Sequence, residues 1–467
     1  MTGVVKSGPE LPVHRSPRWW RPSSWRALTA AQQPDWPENE AVNRVLAEIA
    51  ASPPLVVPAE IRRLQGSLAS VAEGGAFLLQ AGDCAERFSS GSEPELRRKL
   101  KVMTQMAALL TQARGVPVVT VGRIAGQLGK PRTDRTELVD GVELPVFRGE
   151  IINGPEPTTA ARRADPERLR TAYHYASSTL NTLRMLTHRG FADPGQVRDW
   201  NRDFLRRGPE NARYQEIADE IEFAGAPVEP EFYTSHEALL PAFEQALTRF
   251  DPVTESWFAT SAHLVWVGER TRQLDGAHLE FVSGIANPVG IKLGPGTTPA
   301  RLRALCERVD PERVPGRLVL IARLGARRVS DVLPRLVQAV AGTGHRPVWI
   351  CDPMHANTFT AESGYKTRRF TDIEAEVSGF FRVHEELGTH AGGLHLELTG
   401  EEHVTECLGG PGNVVDAELG AHYETLCDPR LNADQAVDLA FRIASWTRYR
   451  VSAPVVPVRR FPGREAA

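Results

Sequence analysis

Phe77-Leu-Leu-Gln-Ala-Gly-Asp-Cys-Ala-Glu86 decides how the rest of this chain is read. A short apolar run, the length of a strand, passes through a glycine into an acid, a thiol and a second acid, and a helical pattern follows. The same grammar returns seven more times, in Pro117-Val-Val-Thr-Val, Phe232-Tyr-Thr-Ser, His263-Leu-Val-Trp-Val, Val289-Gly-Ile-Lys-Leu, Leu318-Val-Leu-Ile-Ala, Pro347-Val-Trp-Ile-Cys and Gly393-Leu-His-Leu-Glu-Leu. Strands alternating with helices build parallel βαβ units, and eight of them close a (β/α)₈ TIM barrel, an α/β fold. An open doubly wound sheet allows the same alternation, but no GxGxxG or Walker A sequence follows any of the runs.

Spacing is regular from the third run onward, whereas a long insertion separates the second from the third. Ala164 to Gly225 reads as helices, for example Asp165 to Thr187 and Pro194 to Arg207. The barrel is therefore placed at 76–450 with inserted helices at about 160–228, a decoration suited to a regulatory subdomain or an oligomer contact. Residues 1–75 form an N-terminal extension with Trp19, Trp20, Trp25 and Trp36 and one helical pattern, Glu38 to Ala51, stopped by Pro53-Pro54. Packing on the main domain or a neighbouring subunit, and disorder at the front, are both open for it. Residues 451–467 are a C-terminal tail.

Charge is balanced, 55 basic against 58 acidic residues among 467, so no global field draws the chain to nucleic acid or a membrane. Anionic partners must be bound locally. Five cysteines without a CxxC pair describe neither a disulfide framework nor a zinc knuckle. Met1 to Ser24 lacks the apolar run of a signal peptide, and no later stretch of about 18 apolar residues occurs. A soluble protein of the reducing cytoplasm is expected. Lysine is rare, at positions 6, 99, 101, 130, 292 and 366, and three of the six fall in chemically loaded motifs.

The ends of the eight runs carry Gly82-Asp-Cys-Ala-Glu86, Gly122-Arg123, Ser235-His-Glu237, Gly268-Glu-Arg-Thr-Arg272, Lys292, Arg323, Cys351-Asp-Pro-Met-His355, and His395, Glu397 and Glu401. One charged residue after a strand is ordinary loop solvation. Eight successive polar ends that a barrel gathers on one face are poorly explained that way. Arg123, Arg270, Lys292 and Arg323 supply donors for more than one phosphate or carboxylate, pointing to a small, multiply anionic substrate. Cys84, His355 and Glu397 lie on neighbouring strands of a closed barrel, and Cys427-Asp-Pro-Arg430 can reach them. A thiolate, an imidazole and two carboxylates suit Mn²⁺, Co²⁺, Fe²⁺ or Zn²⁺ rather than Mg²⁺. Taken singly, a cysteine on a strand is more often a small buried hydrophobe.

These segments resemble the class II (plant-type) 3-deoxy-D-arabino-heptulosonate 7-phosphate (DAHP) synthases. The resemblance is carried by Gln80-Ala-Gly-Asp-Cys-Ala-Glu86, Gly122-Arg-Ile-Ala-Gly-Gln127 with Lys130-Pro-Arg132, Phe147-Arg-Gly149, and Thr234-Ser-His-Glu-Ala-Leu239. It continues in Trp266-Val-Gly-Glu-Arg-Thr-Arg-Gln-Leu-Asp275, Ile291-Lys-Leu-Gly-Pro295, Cys351-Asp-Pro-Met-His355 and Gly364-Tyr-Lys-Thr-Arg368. It ends with His395-Leu-Glu-Leu-Thr-Gly-Glu401, Thr405-Glu-Cys-Leu-Gly-Gly410 and Cys427-Asp-Pro-Arg-Leu-Asn432. It implies a metal-dependent condensation of phosphoenolpyruvate with erythrose 4-phosphate, the first step of the shikimate pathway. The implied ligands of one divalent ion, Mn²⁺ or else Co²⁺, are Cys84, His355, Glu397 and Asp428. The implied phosphoenolpyruvate cradle is Arg123, Lys130, Glu269, Arg270, Lys292 and Arg323, with Arg132 and Thr133 on the aldose phosphate. Lys130, Arg123 and His355 are the expected catalytic set.

Some positions depart from the family pattern. Ala356 stands where Gly is usual, Ala391 where Pro is usual, Thr133 where Ser is common and Glu150 where Asp is common. None removes an implied ligand, but they leave open an amino analogue of the aldose, as in relatives of secondary metabolism, or a weakly active regulatory paralogue. The resemblance also implies a homo-oligomer, dimer or tetramer, with a chorismate mutase as a possible partner and aromatic amino acids as possible effectors. Cys84 and Cys427 could form a redox pair beside the ion, against the simpler expectation of two reduced thiols.

Overall fold

In the computed structural model the described residues are 12–37, 39–139, 141–188, 191, 194–207, 212–220 and 232–448. All eight runs become strands: β1 (Phe77–Gly82), β2 (Val118–Arg123), β3 (Phe232–Glu237), β4 (Leu264–Val267), β5 (Val289–Leu293), β6 (Leu318–Ala322), β7 (Val348–Cys351) and β8 (Gly393–Glu397). Every neighbouring pair is parallel, and β1 pairs with both β2 and β8, so the barrel is closed. The helices are α1 (Asn39–Ala51), α2 (Pro58–Ala72), α3 (Glu93–Arg114), α4 (Glu167–His188), α5 (Pro194–Arg207), α6 (Ala212–Glu220), α7 (Pro241–Ala246), α8 (Ala277–Gly284), α9 (Pro299–Val309), α10 (Val329–Val340), α11 (Phe370–Glu386) and α12 (Ala433–Arg448). None of the described helices is long and apolar enough to cross a membrane.

The two-residue period of each strand divides the core into two clusters. Leu78, Val121, Tyr233, Leu264, Trp266, Val319, Ile321, Val348 and Ile350 form the barrel interior together with Leu64, Leu68 and Val71 of α2. Their alternates, such as Phe77, Leu79, Val265, Ile291, Leu320 and Leu394, belong to the larger cluster between strands and helices. With α2 plugging the amino-terminal mouth, the polar residues of the upper strands are left at the carboxyl-terminal mouth.

The described part of the extension packs on the chain's own barrel. Trp20 is 1% exposed, its indole N–H donates to Glu280 O at 3.0 Å, and its ring lies 2.0 Å from where a Cβ on Gly284 would stand. Trp25 is buried and Trp36 partly so, whereas Trp19 is exposed. Because so large a side chain fills a glycine-shaped groove, Trp20→Ala is expected to cost about 3–5 kcal/mol, read by chemical denaturation. The helical pattern beginning at Glu38 is α1 from Asn39, Glu38 itself lying outside the described residues.

The inserted helices are α4, α5 and α6, and they lean on the barrel wall rather than standing apart: Phe204 and Tyr214 stack on Phe441 of α12, with centroids 5.6 and 4.7 Å apart. Residues 189–190, 192–193, 208–211 and 221–228 of the insertion and the tail 451–467 lie outside the described residues. Three antiparallel hairpins were not anticipated from the pattern: Thr136–Val139 with Val142–Pro145, Thr248–Asp251 with Ser256–Ala259, and Thr358–Thr360 with Lys366–Arg368. Strands of three or four residues are too short for alternation to register.

Candidate active site

β8 delivers Glu397 to the centre of the carboxyl-terminal mouth, 0% exposed and surrounded by cations. Arg123, the last residue of β2, donates from Nη2 to Glu397 Oε1 at 2.9 Å and from Nε to Asp83 O at 3.0 Å. Lys130 Nζ lies 3.0 Å from the same Oε1, 2.7 Å from Asp428 Oδ2 and 3.5 Å from His355 Nε2. Arg368 Nη2 lies 2.8 Å from Glu397 Oε2, but neither atom has a hydrogen-bond partner in good geometry. Burial alone would push both carboxylates up, yet His355, Lys130, Arg368 and Arg123 hold Glu397 well below the usual range, and Lys130 and Arg368 do the same for Asp428. In return, Asp428 and Glu397 hold Lys130 above its ordinary range despite burial, so its ammonium keeps its proton.

His355, Glu397 and Asp428 each offer a ligand atom, all within 4.8 Å of one another. A ring nitrogen and two ionised carboxylates, with Glu397 Oε2 buried and without a hydrogen bond, fit a borderline divalent cation. The second ring nitrogen of His355 is fixed as such a ligand requires: Nδ1 sits 2.8 and 3.0 Å from the oxygens of Asp352, which also accept Met354 N at 3.0 Å. Cys84 is not a member of that group. Its buried thiol lies 3.2 Å from Thr425 Oγ1 and is pulled down by a hydrogen bond with Cys427, with Lys130 adding to the effect. That bond, and then burial, push the Cys427 thiol up.

Beneath these groups lies Trp266. The Arg123 guanidinium is 5.2 Å and Lys292 Nζ 5.9 Å from its ring centroid, and His395 meets it edge-on at 5.3 Å. A polar chain crosses the interior at this level, Ser235 Oγ accepting from Gln80 at 2.9 Å and Gln80 Oε1 lying 2.7 Å from His395 Nδ1. Lys292 pairs with Asp352, and burial brings its ammonium down to about 8.

The remaining residues of the expected cradle spread around the rim. Arg270 Nη2 donates to Thr133 Oγ1 at 2.6 Å, and Arg323 Nη2 to His355 O at 2.8 Å. Arg132 Nη2 is 3.0 Å from Glu137 Oε2. Glu269 is taken up by Arg272 and by Gly294 N at 2.6 Å, which makes it a brace for the loops after β4 and β5. A Cβ on Gly294 would come 2.9 Å from that carboxylate. Gly149, at φ +100°, lets the stretch after Pro145 approach Leu128 O, where a Cβ would stand 2.1 Å away. The neighbouring Arg148 O then accepts Lys130 N at 2.9 Å.

Several supporting residues carried no role in the sequence reading. Arg368 and Lys366 come from the last hairpin, and Lys366 Nζ is 2.9 Å from Asp428 Oδ1. Glu406 accepts Thr425 N at 2.8 Å and Arg430 N at 2.7 Å, shaping the loop that carries Asp428. Glu376 of α11 accepts Leu324 N at 2.7 Å, Gly325 N at 2.8 Å and Asn357 Nδ2 at 2.8 Å, and burial raises it to about 8. Glu237 is raised by burial, with Oε1 unpartnered among the charges of Lys130, Lys292, Arg123 and Arg270. Arg368 and Glu406 sit in quoted motifs, so their presence was legible; their direction was not. Two of the departures are accommodated: the Ala356 methyl packs by Gly325, 3.4 Å from where a Cβ would stand there, and Glu150 accepts Phe88 N.

Compared with known proteins, residues 20–444 match the sequence model of the Class-II DAHP synthetase family. A phospho-2-dehydro-3-deoxyheptonate aldolase of Streptomyces coelicolor is 52% identical over 437 residues, covering 91% of this chain and 97% of that protein. One from Mycolicibacterium smegmatis is 46% identical over 456 residues, covering 94% and 97%. Among solved structures, a truncated 3-deoxy-D-arabino-heptulosonate 7-phosphate synthase from Thermotoga maritima matches 80% of this chain and 88% of its own, at 13% identity and a TM-score of 0.35.

Proposed function

This chain belongs to the class-II DAHP synthetase family, and we propose from that membership that its barrel mouth joins phosphoenolpyruvate to erythrose 4-phosphate on a divalent ion, with Mn²⁺ favoured over Co²⁺. The enzyme is a DAHP synthase. The observation that carries the site assignment is the meeting of His355, Glu397 and Asp428 under Lys130. Cys84, two residues past the end of strand β1, would complete the donor set. An ion held there supplies a Lewis acid for the aldose carbonyl.

The other steps are assigned to side chains. Arg123, Lys292, Arg270 and Arg323 bind the carboxylate and phosphate of phosphoenolpyruvate, with Glu269 bracing their loops. Arg132 and Thr133 hold the aldose phosphate. C3 of phosphoenolpyruvate then bonds to the aldehyde carbon, water adds at C2, and inorganic phosphate leaves. Lys130 Nζ, kept protonated by two carboxylates, donates to the oxygen that becomes an alkoxide, so it acts as acid rather than base.

Steady-state assays of phosphate release with Mn²⁺ or Co²⁺ test the reading, using erythrose 4-phosphate and its amino analogue. A strong preference for the amino sugar would reject the aldose, and no turnover with any divalent ion would reject the enzyme. The same assay with Phe, Tyr and Trp, light scattering for a dimer or tetramer, and co-elution with chorismate mutase address regulation and assembly. All five cysteines are buried and free, in keeping with a cytoplasmic setting. Oxidant is expected to consume the Cys84 and Cys427 thiols faster in chelated than in Mn²⁺-loaded protein, counted by thiol titration.

Lys292 gives a pH dependence. Its charge is present below about 8 and lost as pH rises through that value. The kcat/KM for phosphoenolpyruvate is therefore expected to fall above about 8, and Lys292→Arg, which stays charged, to move that fall to higher pH. A profile flat to pH 10 in the native enzyme would show that Lys292 either keeps its proton beyond that pH or does not bind the anion; a flat profile in both the native enzyme and Lys292→Ala, with equal kcat/KM, would remove it from the cradle.

A further inference from the structure

Glu86 is 1% exposed, and no step above uses it. Its carboxylate gathers three successive main-chain donors: Ala125 N to Oε2 at 2.9 Å, and Gly126 N and Gln127 N to Oε1 at 2.8 Å each. The Tyr175 phenol donates to Oε2 at 2.9 Å, and the N–H of Glu86 itself reaches Gln127 O at 2.7 Å. Converging N–H groups of this kind form a nest whose guest is an anion. Here the guest is a side chain of the same protein.

The loop so held, 124–130, joins the two cations that reach Glu397 Oε1 at 2.9 and 3.0 Å, Arg123 and Lys130. It needs holding. Ala125 has φ +66°, a conformation that disfavours a side-chain-bearing residue, and Gly126 passes so close to His236 that a Cβ would stand 2.5 Å from Nδ1. Tyr175 belongs to α4 of the insertion. Its ring lies 6.0 Å from that of Phe88 and covers Gly91, where a Cβ would meet the ring at 2.8 Å. The hydroxyl therefore arrives at Glu86 from a fixed direction.

We infer that Glu86 and Tyr175 are positioning residues, through which the inserted helix α4 sets the 124–130 loop and hence the placing of Arg123 and Lys130 at Glu397. This rests on the functional reading of those two cations. It adds that the insertion bears on catalysis through one hydroxyl group.

The test compares wild type, Tyr175→Phe, Glu86→Gln and the double variant by steady-state kinetics with Mn²⁺, by thermal midpoint, and by hydrogen exchange of the peptide covering 124–130. Glutamine offers one acceptor oxygen and turns an NH₂ toward donors, so kcat is expected to fall about 10²-fold, the scale of a small misplacement of catalytic groups. Tyr175→Phe is expected to lose about 3–10-fold, as for one hydrogen bond. The double variant should be no worse than Glu86→Gln, because the hydroxyl acts through the carboxylate. Exchange at 124–130 should quicken in each variant. Wild-type kcat and exchange in a folded variant, independent losses that multiply, or a lowered midpoint with unchanged kcat would overturn the inference. Should Glu86→Gln not fold, Tyr175→Phe decides by the same readouts. An inactive wild type would reject the functional reading, while exchange in Tyr175→Phe would still decide the positioning claim.

Discussion

Glu397→Gln is expected to reduce turnover by about 10³-fold or more and to lower stability by about 3–5 kcal/mol in the metal-free protein. Glu397 is the common counter-charge of Arg123, Lys130 and Arg368, all at most 7% exposed, and the group facing His355 across the site. An amide of the same shape leaves those cations buried with one fewer anion among them. It also weakens any divalent site, because one of two carboxylates no longer carries charge. The measurements are kcat under saturating Mn²⁺, Mn²⁺ affinity by calorimetry, and denaturant unfolding of chelated protein. The sign of the pH dependence follows from the depressed carboxylates. Their contribution is present above the ordinary carboxylate range and lost as pH falls through it toward the lower folded values, so acid should destabilise wild type more than Glu397→Gln. A variant with near-wild-type kcat would remove Glu397 from the site.

Lys130→Met is expected to lower kcat by about 10²–10⁴-fold, the range attributed to a positioned proton donor. It should leave the protein able to bind Mn²⁺ as tightly or more tightly. The two effects separate because Lys130 competes electrostatically with a cation for Glu397 and Asp428, at 3.0 and 2.7 Å, while serving as donor to substrate. Methionine keeps the length and apolar stem and removes the charge. Its expected signature is a kcat loss without a proportionate rise in the KM for metal. A weakened Mn²⁺ site with kcat intact at saturating metal would instead assign Lys130 to metal binding.

The eight strands were legible because a closed parallel barrel buries both strand faces, which leaves apolar runs of a recognisable length, and because their ends change abruptly to charge. Gly82-Asp83 and Gly122-Arg123 show this plainly, each strand ending in residues that the mouth uses. Arg368 and Glu406 were visible as motif members, yet nothing local says that a guanidinium on a three-residue strand turns toward Glu397 and not to solvent. Glu86 and Glu376 were harder. Most of their partners are main-chain N–H groups, and these leave no trace in side-chain identity.

By itself, then, the sequence determined the barrel, the order of its strands, the insertion after the second and the set of charged residues at one mouth, since these follow from hydrophobic period and from chain order around a closed sheet. Which charges pair was decided in three dimensions. Residues as far as 347 positions apart in sequence meet at Glu397, Asp428 and Asp83, and only the folded distances show that Lys130 bridges both triad carboxylates, Glu269 pairs with Arg272, and the Cys84 thiol lies 3.2 Å from Thr425 Oγ1. Short-range pattern records what a residue buries; the strength of a charge depends on neighbours and burial that the chain acquires on closing.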